Sequence, residues 1–207
     1  MDINPNDLTT RDLYKLLSGA ILPRPIAWVS TVDSAGAPNL APFSFFNAVC
    51  SNPPTLLFCS GIRGADQSPK DTYHNVRATG EFVVNFVTEA LAEAMNLTAA
   101  ELPAGVNEFE QAGLEAAPGI RINVPHVAAT PIFFECKLRE IVTISEEPGG
   151  GHIIIGTVVH LHVDDAVYRD GHYIDLDAYQ PVGRLMGSGY CRVTDTFELL
   201  RPPSQIR

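Results

Sequence analysis

The segment SPKDT, residues 68–72, combines a lysine with residues that commonly begin helices. Asp71 or Thr72 would form the N-cap of the next helix, and Lys70 would place an ammonium group beside its free backbone N–H groups. A helix start next to a cation is a binding site for phosphate groups. Arg63, in the loop upstream, would be a second cation. The alternative is a solvent-exposed helix cap that binds nothing.

A second group of polar residues, Asn39, Ser44 and Asn47, lies in the otherwise apolar segment 37–59. Polar atoms among buried apolar neighbours need hydrogen-bond partners. The polar edge of a flat heterocyclic ligand would supply them, because such sites are apolar with a few fixed polar contacts. The alternative is a β-bulge in which these side chains bond to their own backbone.

Histidine residues suggest a metal site only weakly. His160 and His162 lie two residues apart on a predicted strand, so both side chains are expected on one face. Together with Asp164 they would suit a metal ion, yet a third ligand at a suitable spacing is not evident. We therefore favour a strand face that binds no metal. The remaining histidines form no acid–base set: His74, His126, His152 and His172.

Other chemistries lack their motifs. The sequence has no G-x-S-x-G nucleophile motif, no G-x-x-x-x-G-K phosphate loop and no G-x-G-x-x-G motif between a strand and a helix. None of the four cysteines, at positions 50, 59, 136 and 191, belongs to a C-x-x-C pair, and we expect all four to be reduced and buried. An enzyme built on this chain would take its reactivity from a cofactor.

The composition restricts the class of protein. The chain has 207 residues, of which 45% are apolar and 18% charged, so it is expected to fold as one domain, residues 1–207. Its net charge of -10 disfavours nucleic acid and anionic membranes as partners. No apolar run is long enough to span a membrane, and the N-terminal residues are too polar for a signal peptide. We expect a cytoplasmic protein.

The elements that must position these residues are mostly strands. A short amphipathic helix beginning at Thr9 or Thr10 precedes strands at 26–32, 39–50 and 55–61, and Pro42 indicates an edge strand or a bulge. A helix from Asp71 or Thr72 to Gly80 leads to a strand at 81–88 and a helix at 89–100.

The C-terminal half is predicted to contain more strands. Residues 101–130 are interrupted by proline and glycine and indicate an irregular segment. The glycines near position 150 predict a hairpin between strands 132–145 and 152–163, and a further strand is expected at 188–199. Six or more strands with few helices favour an antiparallel barrel.

Five motifs carry a family resemblance: PRPIAWVST, NLAPFSFFNAVCSNPPTLLFC, KDT, TPIFFECKL and GRLMGSGYCRVTDTFELLRP. In this order they resemble the flavin reductase-like, flavoredoxin-type family of FMN-binding split-barrel proteins. The resemblance implies a mainly β fold, an antiparallel Greek-key split barrel with peripheral helices. It also implies a homodimer that holds one FMN per subunit near the interface.

The same resemblance implies the residues that bind the cofactor. Residues of the first two motifs would line the ring and the ribityl chain: Ser30, Thr31, Asn39, Ala41, Pro42, Phe43, Ser44 and Asn47. Lys70 and Thr72 would hold the phosphate, with Asp71 as the helix cap and Arg63 as the second cation. Arg184 and Tyr190 would approach from the C-terminal end. Met186 and Ser188 depart from the small residues usual there, and relatives vary over 101–130.

The resemblance implies an oxidoreductase in which FMN takes a hydride from NADH or NADPH, with no side chain required as proton donor. One alternative is a flavoredoxin-type carrier that passes electrons between protein partners, for which the acidic surface would suit a basic redox partner. A further alternative is a domain that binds FMN for sensing or storage.

Overall fold

The computed structural model of the chain describes residues 1–103 and 105–205. Its helices are α1 (Thr10–Ala20), α2 (Asp71–Thr79), α3 (Ala92–Leu97), α4 (Glu108–Gln111) and α5 (Leu176–Tyr179), with 3₁₀ turns at Pro5–Asp7 and Glu89–Leu91. Its strands are β1 (Ala27–Val32), β2 (Pro38–Phe43), β3 (Phe46–Ser51), β4 (Pro54–Gly61), β5 (Glu81–Phe86), β6 (Ala116–Ala117), β7 (His126–Val127), β8 (Ile132–Ser145), β9 (Gly151–Val163), β10 (Tyr168–Arg169), β11 (Tyr173–Ile174), β12 (Val182–Arg184) and β13 (Tyr190–Arg192).

Seven strands form one antiparallel sheet in the order β2-β1-β5-β8-β9-β4-β3. The two strands at its ends, β2 and β3, follow each other in the chain with only Ser44 and Phe45 between them. The ends of the sheet must therefore meet, so the sheet curls into a barrel. The predicted mainly β, antiparallel split barrel is confirmed. The interpretation of Pro42 is also confirmed, because β2 is an end strand that pairs with β1 alone within this sheet.

Strand β1 is buried on both faces because its side chains pack into two different apolar clusters. Val29 belongs to the barrel interior with Phe58 and Phe82. Trp28 packs on the other face with Met95 of α3, and its indole Nε1 donates to Thr98 Oγ1 at 2.9 Å. Each such buried side chain contributes about 1.5–3 kcal/mol. The two clusters hold β1 and β2 rigidly between the interior and helix α3.

The predicted hairpin of β8 and β9 is confirmed, and its turn depends on glycine. Gly149 has a φ of 82°, in the left-handed region that favours glycine. A Cβ on Gly150 would lie 2.4 Å from the carbonyl oxygen of Ser145. The turn therefore admits no larger residue at position 150 without a shift of the backbone.

The first two helices lie where the local signals predict them, whereas the helix expected at 89–100 is divided into a 3₁₀ turn at Glu89–Leu91 and α3. Thr9 caps α1 through a hydrogen bond from the Asp12 N–H to Thr9 Oγ1. Helix α2 ends at Gly80, whose φ is 71°, as predicted. Its N-cap is Lys70, so the prediction of Asp71 or Thr72 as the cap is wrong. Asp71 is instead the first residue inside the helix.

Two further predictions are wrong, one about a C-terminal strand and one about the burial of the cysteines. The strand expected at 188–199 is limited to β13, and residues 193–205 are in no helix or strand. All four cysteines are free thiols, but only Cys136 is buried. Cys50 lies on the exposed end strand β3, where its face has no covering layer. Within the part of the chain described, no helix combines the length and apolarity needed to cross a membrane.

Candidate cofactor site

The start of α2 is open to a ligand. Its N-cap Lys70 makes no side-chain capping hydrogen bond, and the Lys70 carbonyl accepts from the N–H groups of Tyr73 and His74 at 3.0 and 3.3 Å. The earlier N–H groups of a helix have no intrahelical partner and carry its positive dipole end. An anion is therefore favoured at this helix start.

Two cations lie beside this helix start, and they differ in their partners. Arg63 pairs with Asp71 at 2.5 Å, from Nη2 to Oδ2, and more distantly with Asp66. The Lys70 ammonium has no ion pair with any carboxylate in residues 1–103 and 105–205. Hydrogen bonds from Ser68 and then the charge of Arg63 hold the pKa of Asp66 below its usual range. Lys70 is thus the cation available to an incoming anion.

The opposite wall is formed by the ends of β1 and β2. Asn39 Oδ1 accepts from Thr72 Oγ1 at 3.3 Å, and both side chains are buried. Thr31 lies directly across from Asn39 in the strand register, and its Oγ1 accepts from Asn75 Nδ2 at 3.0 Å. These bonds tie the first turns of α2 to the barrel.

A cavity of about 40 Å³ lies between these walls. It brings together half of the predicted cofactor residues: Asn39, Ala41, Pro42, Arg63, Lys70, Asp71 and Thr72. The segment 98–102 and Glu108 close its far side. A second cavity of about 110 Å³ shares Asn39, Asp71 and Glu108 with the first and reaches Asn75 and Asp33. Together they form a polar cleft along the end of the barrel, hereafter the α2 cleft.

Residues 18–179 match the profile of the family described as "Flavin reductase like domain". This match covers well over half of the chain, and the predicted resemblance is confirmed. The chain belongs to the flavin reductase-like family. An uncharacterized protein of Halalkalibacterium halodurans is 42% identical to it over 204 residues, which are 98% of this chain and 97% of that protein.

Two solved structures extend the likeness to nearly full length. Nitrilotriacetate monooxygenase component B from Bacillus cereus has a TM-score of 0.91 at 38% identity, covering 96% of this chain and 98% of that chain. The 2-nitrobenzoate 2-nitroreductase from Pseudomonas fluorescens has a TM-score of 0.88 at 33% identity, covering 99% of this chain and 100% of that chain.

Asn75 and Glu108 are among the residues of the α2 cleft that the sequence of this flavin reductase-like chain did not reveal. Asn75 lies one helical turn after Thr72, so the spacing along α2 would have found it. Glu108 comes from the irregular segment, where no sequence signal marks it. Its buried carboxylate accepts from the Leu40 N–H at 3.0 Å and holds α4 against β2.

Ser30 and Phe43 lie outside the residues that line the cleft. Ser30 is adjacent to Thr31 and so points to the opposite face of β1, where its Oγ donates to the Pro125 carbonyl at 2.5 Å. Phe43 lies in the barrel interior with its ring centroid 4.9 Å from that of Phe58. In this chain, Phe43 supports β2 from within the barrel.

Ser44 and Asn47 lie at the connection between β2 and β3. Ser44 Oγ accepts from Nε of the buried Arg24 at 3.3 Å. Arg24 also donates to the carbonyls of Ser18 and Ile21 at the end of α1, so it joins α1 to this connection. Asn47 is exposed, and its Oδ1 accepts from the N–H of the next residue at 2.8 Å.

Arg184 and Tyr190 lie together, but not on the cleft. They are register partners on β12 and β13, and the Arg184 guanidinium stacks 4.6 Å from the Tyr190 ring centroid. Tyr190 OH donates to Asn96 Oδ1 at 3.2 Å and lines a separate surface cavity of about 350 Å³. Met186 is 55% exposed and lies beside α1, where its Sδ would be 3.0 Å from a Cβ added to Gly19.

The histidine pair makes aromatic contacts. The His162 ring stacks on Phe133 with 4.7 Å between centroids, and His160 lies 6.3 Å from the same ring. Within residues 1–103 and 105–205, no three His, Cys, Asp or Glu side chains are grouped so as to hold a metal ion.

Proposed function

We propose that this chain binds FMN and acts as an NAD(P)H-dependent flavin oxidoreductase. The observation that carries the proposal is Lys70, which has no ion-pair partner among residues 1–103 and 105–205 and lies at the start of α2, in the cleft that Asn39 and Thr72 also line. Anions bind strongly where backbone N–H groups, a helix dipole and an ammonium group converge. The phosphate of FMN fits this donor set, since it is an anion with several acceptor oxygens.

Each residue has a distinct task in this proposal. Lys70 and the first N–H groups of α2 hold the phosphate, and Arg63 adds charge once its bond to Asp71 loosens. Asn39 and Thr72 donate or accept at the hydroxyl groups next to the phosphate. The remaining residues of the first two motifs stay as proposed neighbours of the ring and the ribityl chain: Ser30, Thr31, Ala41, Pro42, Phe43, Ser44 and Asn47. Arg184 and Tyr190 are proposed to approach the site from the C-terminal end.

The chemistry of the reaction belongs to the flavin, which accepts a hydride from a nicotinamide nucleotide when bound. The chain positions it and limits the access of water. Two of the solved structures that resemble this chain support an oxidoreductase, since their names describe a monooxygenase component and a nitroreductase. We name no side chain of this protein as a proton donor.

We propose a homodimer with the flavin near the interface. Large apolar side chains of α1 and of the β2–β3 connection are exposed in the single chain, among them Tyr14, Leu17 and Phe45. A second copy would cover them, which fits the tendency of large exposed apolar patches to mark interfaces. We also propose that residues 1–207 form one domain and that the protein works in the cytoplasm.

The second candidate is an electron carrier that keeps FMN bound and exchanges electrons with another protein. The net charge of -10 favours it, because an acidic surface steers a basic partner toward the carrier. A carrier would be reduced by a protein electron donor and would not be reduced by free NADH.

The experiment is titration of the purified chain with FMN, FAD and riboflavin, followed by NADH and NADPH oxidation with and without added FMN. Tight FMN binding with nucleotide oxidation is expected. FMN binding without oxidation of either nucleotide would favour the carrier, and failure to bind any flavin would refute both proposals.

A further inference from the structure

A polar cluster with two buried members and one exposed member lies against Tyr73 of α2, apart from the residues that line the α2 cleft. It consists of Ser60 on β4, Thr143 on β8 and His152 on β9. Ser60 and His152 are 0% and 1% exposed, and they face each other in the register of β4 and β9. Neither belongs to the set of predicted cofactor residues.

The His152 ring is held in a fixed plane. Its Nδ1 lies 3.0 Å from Thr143 Oγ1, a hydrogen bond whose donor depends on which ring nitrogen carries the proton. Its face stacks on Tyr73 of α2, with 4.1 Å between centroids and 26° between planes. Thr143 therefore sets the orientation of the surface on which Tyr73 rests.

Tyr73 transmits this contact to the phosphate end of the cleft. It follows Thr72 directly and lies in the first turn of α2, where its N–H donates to the Lys70 carbonyl at 3.0 Å. A displacement of the Tyr73 ring would move the turn that carries Lys70 and Thr72. Small displacements of positioning groups have large effects on bound ligands.

The environment of His152 suits the neutral imidazole. Its Nε2 and Ser60 Oγ are buried, and neither has a hydrogen-bond partner among residues 1–103 and 105–205. A proton added to the ring would leave a charged N–H group without an acceptor, which is costly in the core. The stack on Tyr73 is thus most stable while His152 is uncharged.

We propose that His152 is a positioning residue for the phosphate end of the flavin site, acting through Tyr73 on the first turn of α2. This inference rests on the proposed function, because it takes the α2 cleft as the phosphate site. It adds a residue on β9, outside the five motifs that carry the family resemblance, to the determinants of cofactor affinity.

The position of His152 makes this contact sensitive to pH. Burial lowers the pKa of His152, His74 on α2 lowers it further, and Glu146 in the β8–β9 turn opposes the shift. The facing groups on β4 and β8, Ser60 and Thr143, carry no charge. As the pH falls through the lowered pKa, protonation would weaken the stack and with it the affinity for FMN.

The test measures the dissociation constants of FMN and riboflavin by quenching of flavin fluorescence, using the full chain and His152→Ala, His152→Phe and Lys70→Ala. We expect His152→Ala to weaken FMN binding about ten-fold, equivalent to about 1.4 kcal/mol, and to leave riboflavin binding unchanged. His152→Phe keeps a flat ring against Tyr73 and should recover most of the affinity. His172→Ala, a change at an exposed histidine, is the matched control.

The pH dependence separates positioning from simple packing. As the pH is lowered past the pKa of His152, located in the same protein by NMR titration of its ring protons, the FMN affinity of the wild type should fall more steeply than that of His152→Phe. The phosphate of FMN itself titrates at about pH 6 with both proteins, so the difference between their slopes reports on His152.

The outcomes distinguish the two proposals. Suppose that Lys70→Ala weakens the binding of FMN but not of riboflavin, while His152→Ala leaves the ratio of the two affinities unchanged. The inference about His152 is then overturned, and the phosphate site at Lys70 stands. If the wild type binds FMN no better than riboflavin and Lys70→Ala has no effect, the phosphate site and the inference both fail. Should His152→Ala not fold, equal pH slopes for the wild type and His152→Phe would overturn the inference.

Discussion

Removal of the Lys70 ammonium group tests the candidate phosphate site most directly. Lys70 has no carboxylate partner in the described part of the chain, so its interaction with a bound phosphate would not be offset by the release of an internal ion pair. A hydrogen bond to a charged group contributes about 1.5–3 kcal/mol. The site is open to water, which weakens the interaction, so we expect Lys70→Ala to cost about 1–3 kcal/mol of FMN binding.

This cost corresponds to a rise of about 5- to 150-fold in the dissociation constant. Titration with FMN and riboflavin, monitored by flavin fluorescence, measures it. Lys137→Ala is the matched control, because it removes the same charge from a surface lysine near Glu81 on β5. Added salt should weaken FMN binding to the wild type more than to Lys70→Ala.

Two results would refute the reasoning about Lys70. The first is an unchanged FMN affinity in Lys70→Ala. The second is an equal loss of FMN and riboflavin affinity, since riboflavin lacks the phosphate and should not sense the ammonium group. A loss of the same size in Lys137→Ala would assign the effect to net charge rather than to a local contact.

Three further outcomes are expected. Asp71→Asn should bind FMN more tightly, because it frees Arg63 and removes a negative charge beside the phosphate; weaker FMN binding in the titration would contradict this. Burial, and then His162, lower the pKa of His126 below about 6.5, its value in the unfolded chain. As the pH is lowered, the unfolded chain therefore takes up a proton at this histidine before the folded chain does, which destabilises the fold. The urea concentration at the midpoint of unfolding should decrease between about pH 7.5 and pH 5.5, and an increase would contradict this reasoning. Gly156→Ala should destabilise the fold by about 1–3 kcal/mol, because its Cβ would lie 2.3 Å from Phe82 Cζ, and an unchanged melting temperature would disprove the clash.

Local sequence signals determined the features that depend on neighbouring residues. The cap at Thr9, the end of α2 at Gly80 and the β8–β9 turn at 149–151 each follow from hydrogen bonds or backbone angles within a few residues. The apolar strands with few helices between them predicted the barrel, because such strands must pair to satisfy their backbone. The family motifs contain six of the residues that line the α2 cleft: Asn39, Ala41, Pro42, Lys70, Asp71 and Thr72.

The boundaries of the cleft could not be read from the sequence. Ser30 and Thr31 are adjacent, and alternation along β1 predicts opposite faces without saying which face meets α2. The contact between Asn39 and Thr72 joins positions far apart in the chain, so it exists only once the ends of the sheet meet. Glu108 reaches the cleft from a segment with no regular pattern.

Burial was likewise decided by the tertiary structure. Cys50 and Cys136 both lie in apolar strand sequences, yet one is on an exposed end strand and the other in the barrel interior. No sequence pattern predicts the burial or the contacts of His152. Only the pairing of β9 with β4 and β8 brings its ring against that of Tyr73. The sequence by itself determined the long strands of the main sheet and the first two helices, since those depend on local energies. The closure of the barrel decided which side chains meet, since that depends on contacts between distant strands.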